Sequence, residues 1–178
     1  MVYVFLADGF EEVEAIEPID IMLRAGLDVK TVSLGNEYVT GAHGIKVAAD
    51  IMIDEVDCEA IDAIVLPGGA PGYENLDASE SVHAIINYAV AHGKYVCAIC
   101  ASPPILGKKM LLDGKKATCF PGFEETLYGA EVVSDKAVID GKIITAKGAG
   151  AASEFGFAIV TALKDKATAD KVKAIMQY

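Results

Sequence analysis

The sequence predicts an α/β fold: a mostly parallel sheet with helices on both faces and a small antiparallel hairpin. The first observation is that short, continuous apolar runs, VYVFLA (2–7), VKTVSL (29–34), AIVLP (63–67) and YVC (95–97), alternate with segments of helical period. Strands without polar alternation are buried on both sides, which requires helices above and below the sheet. The second is Asp140-Gly141 within AVIDGKIITAKG, the strongest short hairpin signal in the chain. At 178 residues there is material for one sizeable core, so residues 1–178 are expected to form a single domain.

Composition narrows the function classes. A hydrophobic content of 53%, with 23% charged residues and a mean hydropathy of +0.37, describes a globular chain rather than a disordered one. A formal net charge of −11 without a Lys/Arg cluster repels nucleic-acid backbones and anionic membranes, so no nucleic-acid module is read here. The apolar runs are too short to span a bilayer, and the opening MVYVFLADGFEE lacks a basic leader region, which points to the cytoplasm. Cys58, Cys97, Cys100 and Cys119 are too few for a disulfide scaffold, in keeping with a reducing compartment.

Taken in order, the first strand ends at Asp8-Gly9. A helix then follows over EEVEAIEPIDIMLRAG, with Val13, Ile16, Ile19 and Leu23 at helical spacing, Pro18 as a possible kink and Gly26 as the stop. The second strand ends at Gly35-Asn36, and the stretch through Tyr38, Val39, His43 and 45–48 reads as a small antiparallel excursion. The third strand runs into Gly68-Gly69-Ala70-Pro71-Gly72, and a helix from Ser79 or Glu80 to His92 carries Val82, Ile85, Ile86 and Ala89 on its apolar face. After the strand of Cys97 come a strand over Lys116–Phe120, a turn and short helix over Pro121–Tyr128, and the hairpin. Helices over about 151–163 and 168–176 complete the chain.

KYVCAICASPPIL (94–106) changes character at Cys100. An apolar strand gives way to Ser102-Pro103-Pro104, with Ser102 in the N-cap position of a helix and prolines where no N–H is needed. Small residues stand two before and two after Cys100, Ala98 and Ser102, as a sharply bent nucleophile elbow requires. Above a helix N-terminus the thiolate is favoured, so a depressed thiol pKa is expected; a buried structural cysteine is the alternative. Parallel sheets bind ligands at the carboxyl ends of their strands, and three segments end together: Asp8–Glu14, Gly68–Gly72 and Cys100. Of the three early glutamates, Glu14 is the one expected to turn inward, with Glu11 and Glu12 complementing the helix dipole. The backbone N–H groups of Gly69 and Ala101 are candidate donors to an oxyanion beside the sulfur.

ADGFEEVEAIEPIDIMLRAG (7–26), VLPGGAPG (65–72), AICASP (98–103) and ITAKGAGAASEFGFAIV (144–160) together resemble the ThiJ/PfpI superfamily, which includes class I glutamine amidotransferase-like domains. The resemblance lies with the branch of the human parkinsonism-associated deglycase and its bacterial relatives. It implies a flavodoxin-like three-layer sandwich, a homodimer, and an oxidation-prone nucleophile at Cys100. It also implies that a protonated Glu14 is the hydrogen-bond partner of Cys100 and that Gly68, Gly69 and Ala101 form a backbone anion site. Two positions depart from relatives. Phe120 stands where some members carry a histidine, which leaves no Cys-His dyad and disfavours a protease or amidase. Lys147 stands where an arginine lies near the pocket mouth, keeping the charge without the bidentate geometry.

Two function classes share this pocket. One is a glutathione-independent glyoxalase or deglycase acting on methylglyoxal-like dicarbonyls or glycated protein. The other is a redox sensor whose Cys100 is oxidised to sulfinate. Cys97-x-x-Cys100 has a redox spacing, but Cys97 lies on the strand and not on an exposed helix start. His43, His83 and His92 show no metal-ligand spacing, so neither metal nor cofactor is called for.

Overall fold

The computed structural model covers Met1–Tyr178. In chain order the strands are β1 (Val2–Leu6), β2 (Val29–Ser33), β3 (Tyr38–Thr40), β4 (Lys46–Ala48), β5 (Ile51–Met52), β6 (Ala63–Leu66), β7 (Tyr95–Ile99), β8 (Lys116–Ala117), β9 (Glu131–Val132), β10 (Ala137–Asp140) and β11 (Ile143–Ala146). The helices are α1 (Glu12–Arg24), α2 (Gly72–Ala78), α3 (Glu80–Ala91), α4 (Pro103–Lys108), α5 (Ala152–Leu163) and α6 (Lys166–Met176). Seven strands form one sheet in the order β10-β11-β7-β6-β1-β2-β5. All its pairings are parallel except the β10–β11 hairpin. The expected α/β sandwich with a small antiparallel excursion is therefore the fold observed, and β3 pairs antiparallel with β4 as read.

Successive side chains of a strand point to opposite faces, so each core strand supplies both halves of the interior. Tyr3 and Phe5 of β1 join Ile64, Leu66 and Val96 beneath Leu76, Val82, Ile86 and Ala89 of α2 and α3. Val2, Val4 and Leu6 of the same strand join Val65, Cys97, Ile99 and Ile144 beneath α1, α5 and α6.

The buried face of α1 differs from the expected one. Val13, Ile16 and Leu23 are each more than 40% exposed, whereas Glu14, Ala15, Pro18, Ile21 and Met22 are buried. The reason is α5: at Gly156 an added Cβ would lie 2.8 Å from Ile21 Cδ1 and 3.1 Å from Pro18 Cα, so α1 settles Pro18 into the gap that a glycine leaves. The helix remains continuous through Pro18.

The strand expected over Lys116–Phe120 shortens to Lys116–Ala117 and pairs with β9 outside the main sheet. Its continuation is drawn away by other partners. Thr118 N–H donates to Thr145 Oγ1 at 3.0 Å, and Phe120 N–H donates to the Cys100 carbonyl at 2.8 Å. Helix α2 and the two-residue edge strand β5 have no clear periodicity and were not expected. No helix is long and apolar enough to cross a membrane.

Candidate active site

The carboxyl ends of β1, β6 and β7 converge, and they bring together the residues singled out in the sequence. Cys100 follows β7 with φ of 66°, a left-handed conformation that costs a non-glycine residue about 1–3 kcal/mol and persists only where neighbours impose it. They do so from both sides. Cys100 N–H donates to the Ala146 carbonyl at 2.9 Å, and its own carbonyl accepts from Phe120. Ser102 does not cap α4 with its side chain, contrary to the expectation. Fully buried, its hydroxyl donates instead to the Pro67 carbonyl at 2.5 Å and ties the elbow to the exit of β6.

Glu14 is 1% exposed, and Gly68 N–H donates to its Oε2 at 2.9 Å. A Cβ at Gly68 would stand 2.6 Å from Cys100 Cβ and 2.7 Å from Glu14 Oε2, so the two loops close only around a glycine. The Gly68 N–H is thereby committed to the carboxyl group, which removes it from the expected backbone anion site. The Gly69 and Ala101 N–H groups are directed at the Cys100 sulfur. The Ala149 N–H, missed in the sequence, is a further donor to Glu14. Its only advance signal is the glycine-rich approach to α5.

Electrostatics overturn the expected depressed thiol pKa. Burial, then the negative charge of Glu14, pushes the Cys100 thiol up to about 12, against the opposing pull of the Gly69 and Ala101 N–H groups. Burial likewise raises Glu14 to about 7, against its hydrogen bonds with Cys100, Gly68 and Ala149. Helix α4 starts only at Pro103, and one short helix end cannot offset desolvation beside a carboxylate. Thiol and carboxyl are hydrogen-bonded, so above about pH 7 the pair holds one proton between them. In that singly protonated state the sulfur is a thiolate only when the proton sits on Glu14.

Glu11 and Glu12 part company. Glu11 precedes α1 and passes its backbone N–H to the Gly68 carbonyl at 3.0 Å. Glu12 is buried and does more than complement the dipole. It accepts from His43 N–H at 2.9 Å and from Ile45 N–H at 3.3 Å, meets His43 Nδ1 at 2.9 Å, and so docks the β3–β4 hairpin on the start of α1. His83 and His92 bond to the Asp77 and Tyr88 carbonyls, away from the site.

A cavity of about 480 Å³ is lined by Phe120, Pro121, Lys136, Lys147 and the turn from Gly148 to Ala151, without Cys100 or Glu14 in its wall. At Gly148 an added Cβ would lie 3.2 Å from the Phe120 ring and 3.8 Å from Cys100 Sγ, which places the half-exposed Phe120 at the mouth. Lys136 pairs with Glu154, while Lys147 forms no ion pair. Cys97 is fully buried beneath α1 and α5 with its pKa raised by burial, and Cys58, Cys97, Cys100 and Cys119 are all free thiols. A redox pair of Cys97 with Cys100 has no support in this geometry.

Comparison with known proteins gives a consistent match. A sequence profile described as the DJ-1/PfpI family matches residues 1–162. Protein DJ-1 homolog A of Arabidopsis thaliana is 37% identical over 96% of this chain, and homolog B is 38% identical over 94%. The chain spans only 45% and 39% of the lengths of those two relatives. A protein named as a deglycase in Pyrococcus horikoshii is 36% identical, over 79% of this chain and 86% of its own. The solved structure of oxidized DJ-1 from Toxoplasma gondii superposes with a TM-score of 0.95 at 35% identity, covering 99% of this chain and 97% of that one.

Proposed function

The chain belongs to the DJ-1/PfpI family, and on that footing we propose that it is a cysteine-dependent glyoxalase or deglycase, acting on small dicarbonyls such as methylglyoxal or on their adducts with protein. The observation that carries this reading is the buried Glu14 carboxyl hydrogen-bonded to Cys100 at a strained elbow. The relative named as a deglycase supports it.

The chemistry follows from one shared proton. The Cys100 sulfur bonds to the aldehyde carbon of methylglyoxal while Glu14 delivers its proton to the aldehyde oxygen, giving a hemithioacetal. Glu14, now ionised, removes the hydrogen on that carbon, and the resulting enediol is protonated at the neighbouring carbon. The product is a lactoyl thioester, whose C–S bond is broken by water to release lactate and the thiol. The N–H groups of Gly69 and Ala101 are aimed where negative charge gathers. No outside oxidant or cofactor enters the balance.

Lactate release from methylglyoxal without glutathione tests the proposal. Wild type is expected to turn over and Cys100→Ser to fall to background; an active Cys100→Ser would overturn it.

A second reading keeps the same site. Oxidation of Cys100 to sulfinate would place two oxygens among the Gly69 and Ala101 N–H groups and a protonated Glu14, and the oxidized Toxoplasma relative favours considering it. Intact-mass measurement after limited peroxide would show two added oxygens in wild type that Cys100→Ser does not acquire. We further propose a homodimer in the cytoplasm. The Val13, Ile16 and Leu23 stripe left exposed on α1 supplies an apolar surface for the second copy.

A further inference from the structure

A second cavity, of about 370 Å³, lies at the carboxyl ends of β1 and β2, on the far side of β1 from the thiol. That volume falls in the range of small-molecule pockets, roughly 300–1,000 Å³. Its position is one where parallel sheets receive ligands.

Ser33, the last residue of β2, lines it. Ser33 is fully buried, and its hydroxyl is the one buried side-chain polar atom of the protein without a hydrogen-bond partner. Burying a hydroxyl unpaired costs about 1–3 kcal/mol, so a group left in that state calls for a partner from outside the chain.

The rest of the lining defines the chemistry of that partner. Asp8, Asn36, Asn75 and Tyr38 are the other polar residues of its lining. Asn75 Nδ2 is held by the Asp8 carbonyl at 2.9 Å and Asp8 Oδ1 accepts from Thr40 N–H at 2.8 Å, so both side chains are oriented before any ligand arrives. No lysine, arginine or histidine lines the cavity, and the Asp8 carboxylate does, which opposes an anion. Lys46 Nζ already stands 4.8 Å from the centre of the Tyr38 ring, which opposes a cation there. A wholly apolar ligand would leave Ser33 unsatisfied. We propose that this cavity is a second binding site, for an uncharged polyhydroxylated molecule of monosaccharide size, whose vicinal hydroxyls donate to Asp8 and the asparagines while one accepts from Ser33.

Amide NMR of the full chain titrated with methyl α-D-glucopyranoside tests this. That probe has no free aldehyde and cannot add to Cys100, so the outcome is independent of the activity proposed above. Saturable shifts are expected at Ser33–Asn36 and at the Asn75 side chain. Affinity should fall about five- to tenfold in Ser33→Ala and in the exposed Asn75→Ala, and by a similar factor for the corresponding anionic glucuronide. Cys100→Ser should bind as wild type does. Absence of saturable shifts, binding unchanged in both variants, or equal binding of the glucuronide would each overturn the proposal. If Ser33→Ala fails to fold, Asn75→Ala and the glucuronide decide it.

Discussion

Ser102 Oγ donates to the Pro67 carbonyl at 2.5 Å, across two loops that are 35 residues apart in sequence. The bond joins the elbow that presents Cys100 to the turn that presents Gly68 and Gly69. Removing the hydroxyl would leave a buried carbonyl unpaired, at about 1–3 kcal/mol. Ser102→Ala is therefore expected to lower stability by that amount in urea denaturation. It should also lower kcat more than it raises KM, because the N–H groups around the sulfur lose their register. A variant with wild-type stability and kcat would show that the bond holds nothing in place.

The shared proton makes a prediction about rate. The competent form of the pair carries one proton, so kcat/KM should rise about tenfold per pH unit at low pH and level off near pH 7, where Glu14 titrates. Glu14→Gln should lose turnover at every pH. A profile without an inflection near 7 would remove Glu14 from proton transfer.

The same group predicts a stability trend. The carboxyl pKa is raised from 4.5 to about 7 by folding, so the folded state binds more protons than the unfolded state between those values. Stability is then fully present below about 4.5 and is lost as pH rises to about 7, by up to about 3 kcal/mol. Glu14→Gln should flatten that slope. Urea midpoints measured from pH 5 to 8 would check it, and an unchanged slope in the variant would count against a desolvated Glu14.

Thiol chemistry should single out one cysteine. Cys100→Ser is expected to abolish turnover, whereas Cys58→Ser, remote from the elbow, is expected to retain it. Equal losses in the two variants would mean that the effect is structural.

Glu12 and His43 form the remaining test. Burial works against ionised Glu12, but its bonds from the His43 ring and from the His43 and Ile45 N–H groups hold its pKa below the ordinary value, while the Glu12 bond, with the charges of Glu11 and Glu12, raises His43. The Glu12 contribution is present above its unfolded pKa and lost as pH falls through the lowered value. The His43 contribution is present below about 6.5 and lost as pH rises through the raised one. In Glu12→Ala, hydrogen exchange at His43 and Ile45 should accelerate about tenfold or more, with the β7 amides unchanged. Uniform acceleration across the sheet would show instead that the variant is globally unstable.

For the fold, local pattern was sufficient wherever burial was two-sided. Apolar runs such as VYVFLA, and helical periods such as that of α3, fix strand and helix without knowledge of neighbours. The elbow was equally legible, since Ala98 and Ser102 flank Cys100 at the spacing that a sharp turn needs. Glu14 could be picked out among three glutamates because only one direction on the first turn of α1 faces the sheet.

What the sequence could not determine depended on partners distant in the chain. Which face of α1 is buried was decided by Gly156 on α5, because a missing Cβ there admits Pro18 and Ile21 more closely than the Val13, Ile16 and Leu23 stripe could pack. The Gly68 N–H went to Glu14 rather than to an anion site because it has one hydrogen and the nearest acceptor came from another loop, and the Ser102 side chain is turned to donate to the Pro67 carbonyl instead of accepting from its own helix. The sequence by itself determined the core strands β1, β2, β6 and β7, the helix α3 and the sharp corner at Cys100. The direction of the Cys100 pKa was decided only by tertiary structure, since desolvation and the charge of Glu14 act through space and leave no trace in local spacing.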